Sequence, residues 1–207
     1  LEISLLIQFA FATLLLAATP GPDNVYVLTE SVSKGWRQGV GIASGLMIGV
    51  IVHTTLVATG VSLIVLQNDL LFTIIKYLGS SYLLFLAYGA WKEQPLEVVV
   101  GKQADTEPFI TIFKRGFIMN VLNPKVSIFF IALLPQFVST SGWSPMYQMM
   151  VLGLIFMLVS FIVFSGIALI SGRAARMIKH PSFWTTTKWI KVLLLTTLAI
   201  LLVLVER

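Results

Sequence analysis

Three ionisable side chains, Asp23, His53 and Lys125, stand inside long apolar stretches of the sequence. A charge at the centre of a membrane span costs at least roughly 2.5–3.5 kcal/mol, so such a residue faces a partner or a watery cavity. Asp23 and Lys125 carry opposite charge. Each follows a proline, and asparagines accompany both: Asn24 beside Asp23, Asn120 and Asn123 ahead of Lys125. A carboxylate at such a place can cap a helix start, where it suits freed amides and the helix dipole. It can equally hold a ligand's ammonium or carry a proton. Lys125 can pair with Asp23 or meet a ligand's carboxylate. A zwitterionic ligand would replace such a pair and keep both buried charges compensated. Histidine in general exchanges protons near neutrality, so His53 is either a proton carrier or a hydrogen-bonded interior side chain. The asparagines suit freed backbone and could contact the same ligand. The candidate binding set is therefore Asp23, Asn24, Asn120, Asn123 and Lys125, with Asp23 and His53 as candidates for proton coupling.

These residues must be held by membrane helices. The 207-residue chain is 57% hydrophobic and only 11% charged, too apolar for a soluble surface. Its apolar runs are continuous and reach the roughly 20 residues a helical span needs, whereas barrel strands would alternate. Six blocks emerge: Ile3–Val32, Gly39–Leu66, Leu70–Trp91, Phe109–Val138, Tyr147–Ile170 and Trp189–Val205. The stretch Leu1 to Ala18 lacks a basic start and a small-residue cleavage site, so it is expected to be the first span and not a signal peptide. The expected organisation is one all-α membrane domain over residues 1–207. A first repeat covers about 1–91, a polar loop about 92–108, and a second repeat about 109–207.

Basic residues orient the spans. Lys34 and Arg37 occupy the first connection, Lys92, Lys102, Lys114 and Arg115 the third, and Arg173, Arg176, Lys179, Lys188 and Lys191 the fifth. The second and fourth connections, Gln67–Asp69 and Ser139–Met146, hold none. Positive charge marks the cytoplasmic side, so both termini are expected outside. Trp36, Trp91 and Trp189 fall at the inner boundary, as interfacial aromatics should. The net charge of +5 follows from topology and does not call for a nucleic-acid partner.

The first and fourth blocks are too long for one upright span, and each is broken by proline. The breaks are Pro20-Gly21-Pro22 and Asn123-Pro124-Lys125. Proline removes a backbone donor and clashes with the preceding turn. Backbone freed at membrane depth is tolerated only against protein or water. Breaks at matching places in two halves point to a transporter's binding site. Three spans per half would invert the second half relative to the first. Gly41, Gly45 and Gly49 add a small-residue stripe that lets another helix approach closely.

The blocks Thr19-Pro20-Gly21-Pro22-Asp23-Asn24, Gly35, Gly39, Gly45, Gly49 and His53 resemble the lysine exporter (LysE/RhtB) family. So do Lys114-Arg115-Gly116-Phe117, Asn120, Asn123-Pro124-Lys125, Phe129-Phe130 and Leu134-Pro135-Gln136-Phe137-Val138. The resemblance runs in order over nearly the whole chain. It implies an amino-acid efflux carrier of the prokaryotic inner membrane, driven by the proton or membrane potential. One departure is that the family's last helix is usually glycine-rich, whereas Val192 to Val205 contains no glycine. A homo-oligomer is left open.

Other chemistries find little support. There is no cysteine, so thiolate metal sites and cysteine nucleophiles are excluded. No phosphate-binding glycine loop, HExxH or GxSxG is present, and His53 and His180 lack metal-ligand spacing, so no cofactor or metal is expected. A carrier of another small solute such as a metal cation is the nearest alternative, although it should show several intramembrane carboxylates or sulfur ligands. An intramembrane enzyme is the second, and no catalytic motif frames Asp23, His53 and Lys125.

Overall fold

A computed structural model describes residues 3–18, 21–61, 69–92, 105–139, 142–172 and 181–204. Eight α-helices form among them: α1 Ile3–Ala18, α2 Pro22–Lys34, α3 Trp36–Leu56, α4 Asp69–Lys92, α5 Phe109–Val121, α6 Pro124–Leu133, α7 Pro145–Leu169 and α8 Pro181–Leu204. A π-helical turn, Val57–Val61, extends α3, and a 3-10 turn, Leu134–Phe137, extends α6. Four helices are each long and apolar enough to cross a membrane, and the pairs α1–α2 and α5–α6 bring the number to six when each is one bent span. Each pair bends by more than 40°, the second by 53°. The order bent pair, long helix, long helix thus recurs. Pro20 lies outside the described residues, as do most of the polar loop and Arg173, Arg176 and Lys179.

The fifth connection is shorter than hydropathy predicts. The last helix was expected from Trp189, but α8 begins at Pro181 and includes Ser182, Thr185, Thr186 and Lys188. Helical backbone satisfies its own hydrogen bonds, so a helix can continue past the apolar stretch into polar surroundings. Proline suits the first helical position because its missing donor has no helical partner there.

The central element is α3. Within its most apolar window 61% of residues are buried, against 22% in α4 and 28% in α7 and α8. It packs most extensively on α5 and also meets α2 and α7, while α4 and α8 pair together and reach the rest largely through α6. The glycine stripe makes the α3–α5 approach possible. A Cβ on Gly45 would fall 2.0 Å from the Phe113 carbonyl oxygen, and one on Gly116 2.3 Å from that of Ile42. Neither backbone can yield. Phe9, Ile42, Leu46, Ile112, Phe130, Leu134 and Leu152 fill the interior. Ile7, Leu78, Phe85, Leu154, Ile162 and Leu193 point outward and are well exposed, the surface a bilayer would cover.

Polar groups tie the helices at two ends. Gln148, fully buried on α7, donates to the carbonyls of Ser139 and Trp143 at 2.9 and 2.7 Å and accepts from the Ser139 amide. Where α2, α3 and the approach to α5 meet, Glu107 accepts from Lys34 at 2.7 Å and from Arg115 at 3.2 and 2.9 Å. Lys34 also pairs with Glu30, and Arg115 donates to the Tyr26 hydroxyl. Gln38 on α3 donates to the Glu107 carbonyl.

Candidate functional site

The two helix breaks face each other across a small cavity. Proline at position 124 has no N–H to give to the Asn120 carbonyl four residues back, where an unbroken helix would bond. Two other donors take it: the Asn123 amide at 2.9 Å and His53 Nε2 at 3.0 Å. The helix restarts at once, because the Asn123 side-chain oxygen accepts from the Lys125 amide and caps α6. At the first break the Ala17 carbonyl, which ends α1, receives the Asn24 side-chain amide at 2.7 Å. Here Gly21 occupies the cap position of α2, and no side chain among the described residues caps it.

Asp23 therefore does not cap a helix through a hydrogen bond. Its Oδ2 accepts from Asn123 Nδ2 at 3.0 Å, so one asparagine caps the second break and holds the carboxylate of the first. The negative charge still lies in the first turn of α2, where the helix dipole favours it. Asp23 and Lys125 both line the cavity. Asn24 and Asn120 line it too, together with Met47, Phe129, Phe156, Ser160 and Phe164. The cavity volume is about 40 Å³, room for a few waters.

Four of the sequence-derived binding residues thus line the cavity, and Asn123, outside the lining, is bonded to Asp23. His53 is buried against the Asn120 carbonyl and does not line the cavity, with its ring tilted against Phe130 at 6.1 Å. Because its Nε2 faces a carbonyl, that nitrogen carries the hydrogen, and the Ser127 hydroxyl lies 3.4 Å from Nδ1. Gly21 precedes α2, and Pro22 and Pro124 begin α2 and α6. Reading the sequence missed Ser160, Phe156 and Phe164. They lie four residues apart in an uninterrupted apolar helix that offers no break or charge to draw notice.

Among the described residues no group of three His, Cys, Asp or Glu side chains could hold a metal. A carboxylate and an ammonium flanking a largely apolar, partly aromatic cavity can bind a small molecule bearing both charges.

Known proteins resemble the chain over most of its length. The chain is 30% identical over 173 residues to a homoserine/homoserine lactone efflux protein of Salmonella typhimurium, covering 84% of this chain and 83% of that one. It is 30% identical over 152 residues to a leucine efflux protein of an Enterobacter species, covering 71% and 72%. It is 28% identical to a membrane protein of Vibrio cholerae, with 89% of each covered. No solved structure gives a significant match. The family described as LysE type translocator matches residues 14–206, and the chain belongs to that family of transporters.

Proposed function

We propose that the chain is a secondary transporter exporting amino acids or close analogues across the prokaryotic inner membrane. The observation that carries this reading is the placement of Asp23 and Lys125, from two separate helix breaks, on the wall of one cavity. An amino acid's ammonium would meet Asp23 and its carboxylate Lys125, with Asn24, Asn120 and Asn123 completing the site. The swap leaves no buried charge without a counter-charge, which is what the energetics of buried ions demand. Lys125 beside the cavity's one carboxylate would repel a free metal cation, so the cation-carrier alternative loses ground. A translocator moves its cargo unchanged, and the intramembrane-enzyme alternative is set aside with it.

The relatives' named substrates, homoserine, homoserine lactone and leucine, carry no charged side chain, and a site with a single carboxylate among the described residues suits that class. The cavity holds a few waters and no more, so loading requires the bent spans to part. Two three-span repeats of opposite orientation, hinged at the breaks, would supply that motion. The proton or membrane potential would drive it, with Asp23 and His53 as coupling candidates.

The test is efflux from proteoliposomes preloaded with a labelled amino-acid mixture, with and without a proton gradient. Gradient-dependent loss of one or a few amino acids is the expected result. Retention of every amino acid by folded, inserted protein would move the assignment to another small solute.

A further inference from the structure

Six helical hydroxyls among the described residues are accounted for within their own helix. Ser31, Ser44, Thr54, Thr59, Ser127 and Thr187 each donate to the carbonyl four residues back. This is the usual refuge of a hydroxyl in an apolar helix. Ser160 does otherwise. It is 1% exposed, and its Oγ has no hydrogen-bond partner, although the Phe156 carbonyl lies four residues back. A buried hydroxyl left in that state costs free energy that a bond would recover. Thr13 and Ser165 share the condition but do not line the cavity, whereas Ser160 does. Asn120 Oδ1 is a second unpartnered buried atom belonging to a cavity residue.

The neighbours say which end of a ligand Ser160 would meet. The charged groups, Asp23 and Lys125, come from α2 and α6, where the backbone ends of an amino acid would sit. Ser160 comes from α7, between Phe156 and Phe164 on one helical face, and Phe129 packs on Phe156 at 5.7 Å. This is an apolar wall with one hydroxyl set in it. We propose that Ser160 reads the substrate's side chain and selects amino acids bearing a small aliphatic hydroxyl over their apolar isosteres. The inference rests on the amino-acid export reading and deepens it. A hydroxyl both donates and accepts, so a serine, threonine or homoserine side chain would satisfy Ser160, while a valine methyl would leave it unmatched. Removing one hydrogen bond of this kind from the comparison changes preference by about tenfold.

Threonine and valine are nearly isosteric, which makes them the probe. Proteoliposomes carrying the wild-type protein, loaded with equal labelled threonine and valine, should export threonine about tenfold faster. In Ser160→Ala the ratio should fall toward one, with valine efflux retained or raised. A merely structural serine would lower both fluxes together and leave the ratio in place. Wild-type efflux of both amino acids at equal rates, or an unchanged ratio in Ser160→Ala, overturns the Ser160 assignment and leaves the exporter reading standing. Efflux of no amino acid at all overturns both.

Discussion

The same seam of the molecule carries two polar regions built on opposite principles. At one end, Glu107, Lys34, Arg115, Tyr26 and Glu30 form a network in which both Glu107 oxygens accept charged donors. Further along, three residues from Tyr26 on α2 and five from Arg115 on α5, Asp23 and Asn120 line a cavity whose wall leaves Asn120 Oδ1 and Ser160 Oγ unpartnered. The charged groups of the first region are all paired, although Gln38 Oε1 beside it has no hydrogen-bond partner; in the second, neutral atoms of two cavity-lining residues have none. Satisfied networks fix structure, and unpartnered polar atoms on residues that line a cavity leave room for a ligand's polar groups. The network is a clasp between α2 and α5; the cavity is the proposed place for a ligand.

The largest expected effect separates these roles. Lys125→Ala should abolish transport, by at least about 100-fold, because it removes a ligand contact and leaves Asp23 without its counter-charge. The protein should still insert, as read by fluorescence-detected chromatography in detergent, with the unfolding midpoint lowered by the loss of that counter-charge. Normal efflux in this variant would sink the proposed site. Asp23→Asn should be nearly as damaging to transport.

Asn123→Ala comes next and tests the link between the breaks. It removes the α6 cap, worth about 1 kcal/mol, together with the bond that positions the Asp23 carboxylate. Stability and transport should both fall. Aspartate at 123 should restore the cap but place a second negative charge beside Asp23, so stability would recover further than flux.

The clasp should behave in the reverse way. Glu107→Gln should lower the thermal midpoint by a few degrees and leave the threonine-to-valine preference unchanged. Hydrogen bonds from Lys34 and Arg115 hold the Glu107 carboxyl below its ordinary value of 4.5. A carboxylate shifted downward stabilises the fold fully above its unfolded value and loses that contribution as pH falls through the lower folded one. Thermal unfolding should therefore weaken more steeply below about pH 4.5 in the wild type than in Glu107→Gln. A transport defect larger than the stability defect would assign the clasp a part in gating.

How much of this was legible beforehand depended on whether the signal was local. Pro22 and Pro124 announce their breaks because proline acts on its own helix, and the glycine stripe announces close packing in the same way. The charges at Asp23 and Lys125 stood out against apolar neighbours. What could not be read was pairing at a distance. Lys34 and Arg115 serve as topology markers in the sequence, and nothing local says that Glu107, 73 and 8 residues away, collects both. Asn123 reads as a helix-break residue, but its reach across 100 residues to Asp23 is a property of the fold. Ser160 is silent for the same reason: among apolar neighbours a serine normally bonds its own helix, and only the structure shows that it does not.

His53 offers the smallest and finest test of the contrast between a fixing group and a binding group. The ring donates from Nε2 to a carbonyl that proline has freed, which is a fixing role, and it does not line the cavity. Replacement by alanine should cost roughly 1–3 kcal/mol through the lost bond and lost packing on Phe130. Glutamine keeps an N–H donor of similar reach, so His53→Gln should recover most of that stability and retain gradient-driven efflux within a few-fold of wild type. The decisive readout is the gradient itself. If His53→Gln folds and still exports amino acids downhill but no longer responds to an imposed proton gradient, the imidazole carries the coupled proton. If the response persists, coupling falls to Asp23, and His53 belongs with the clasp among the groups that hold the breaks in place.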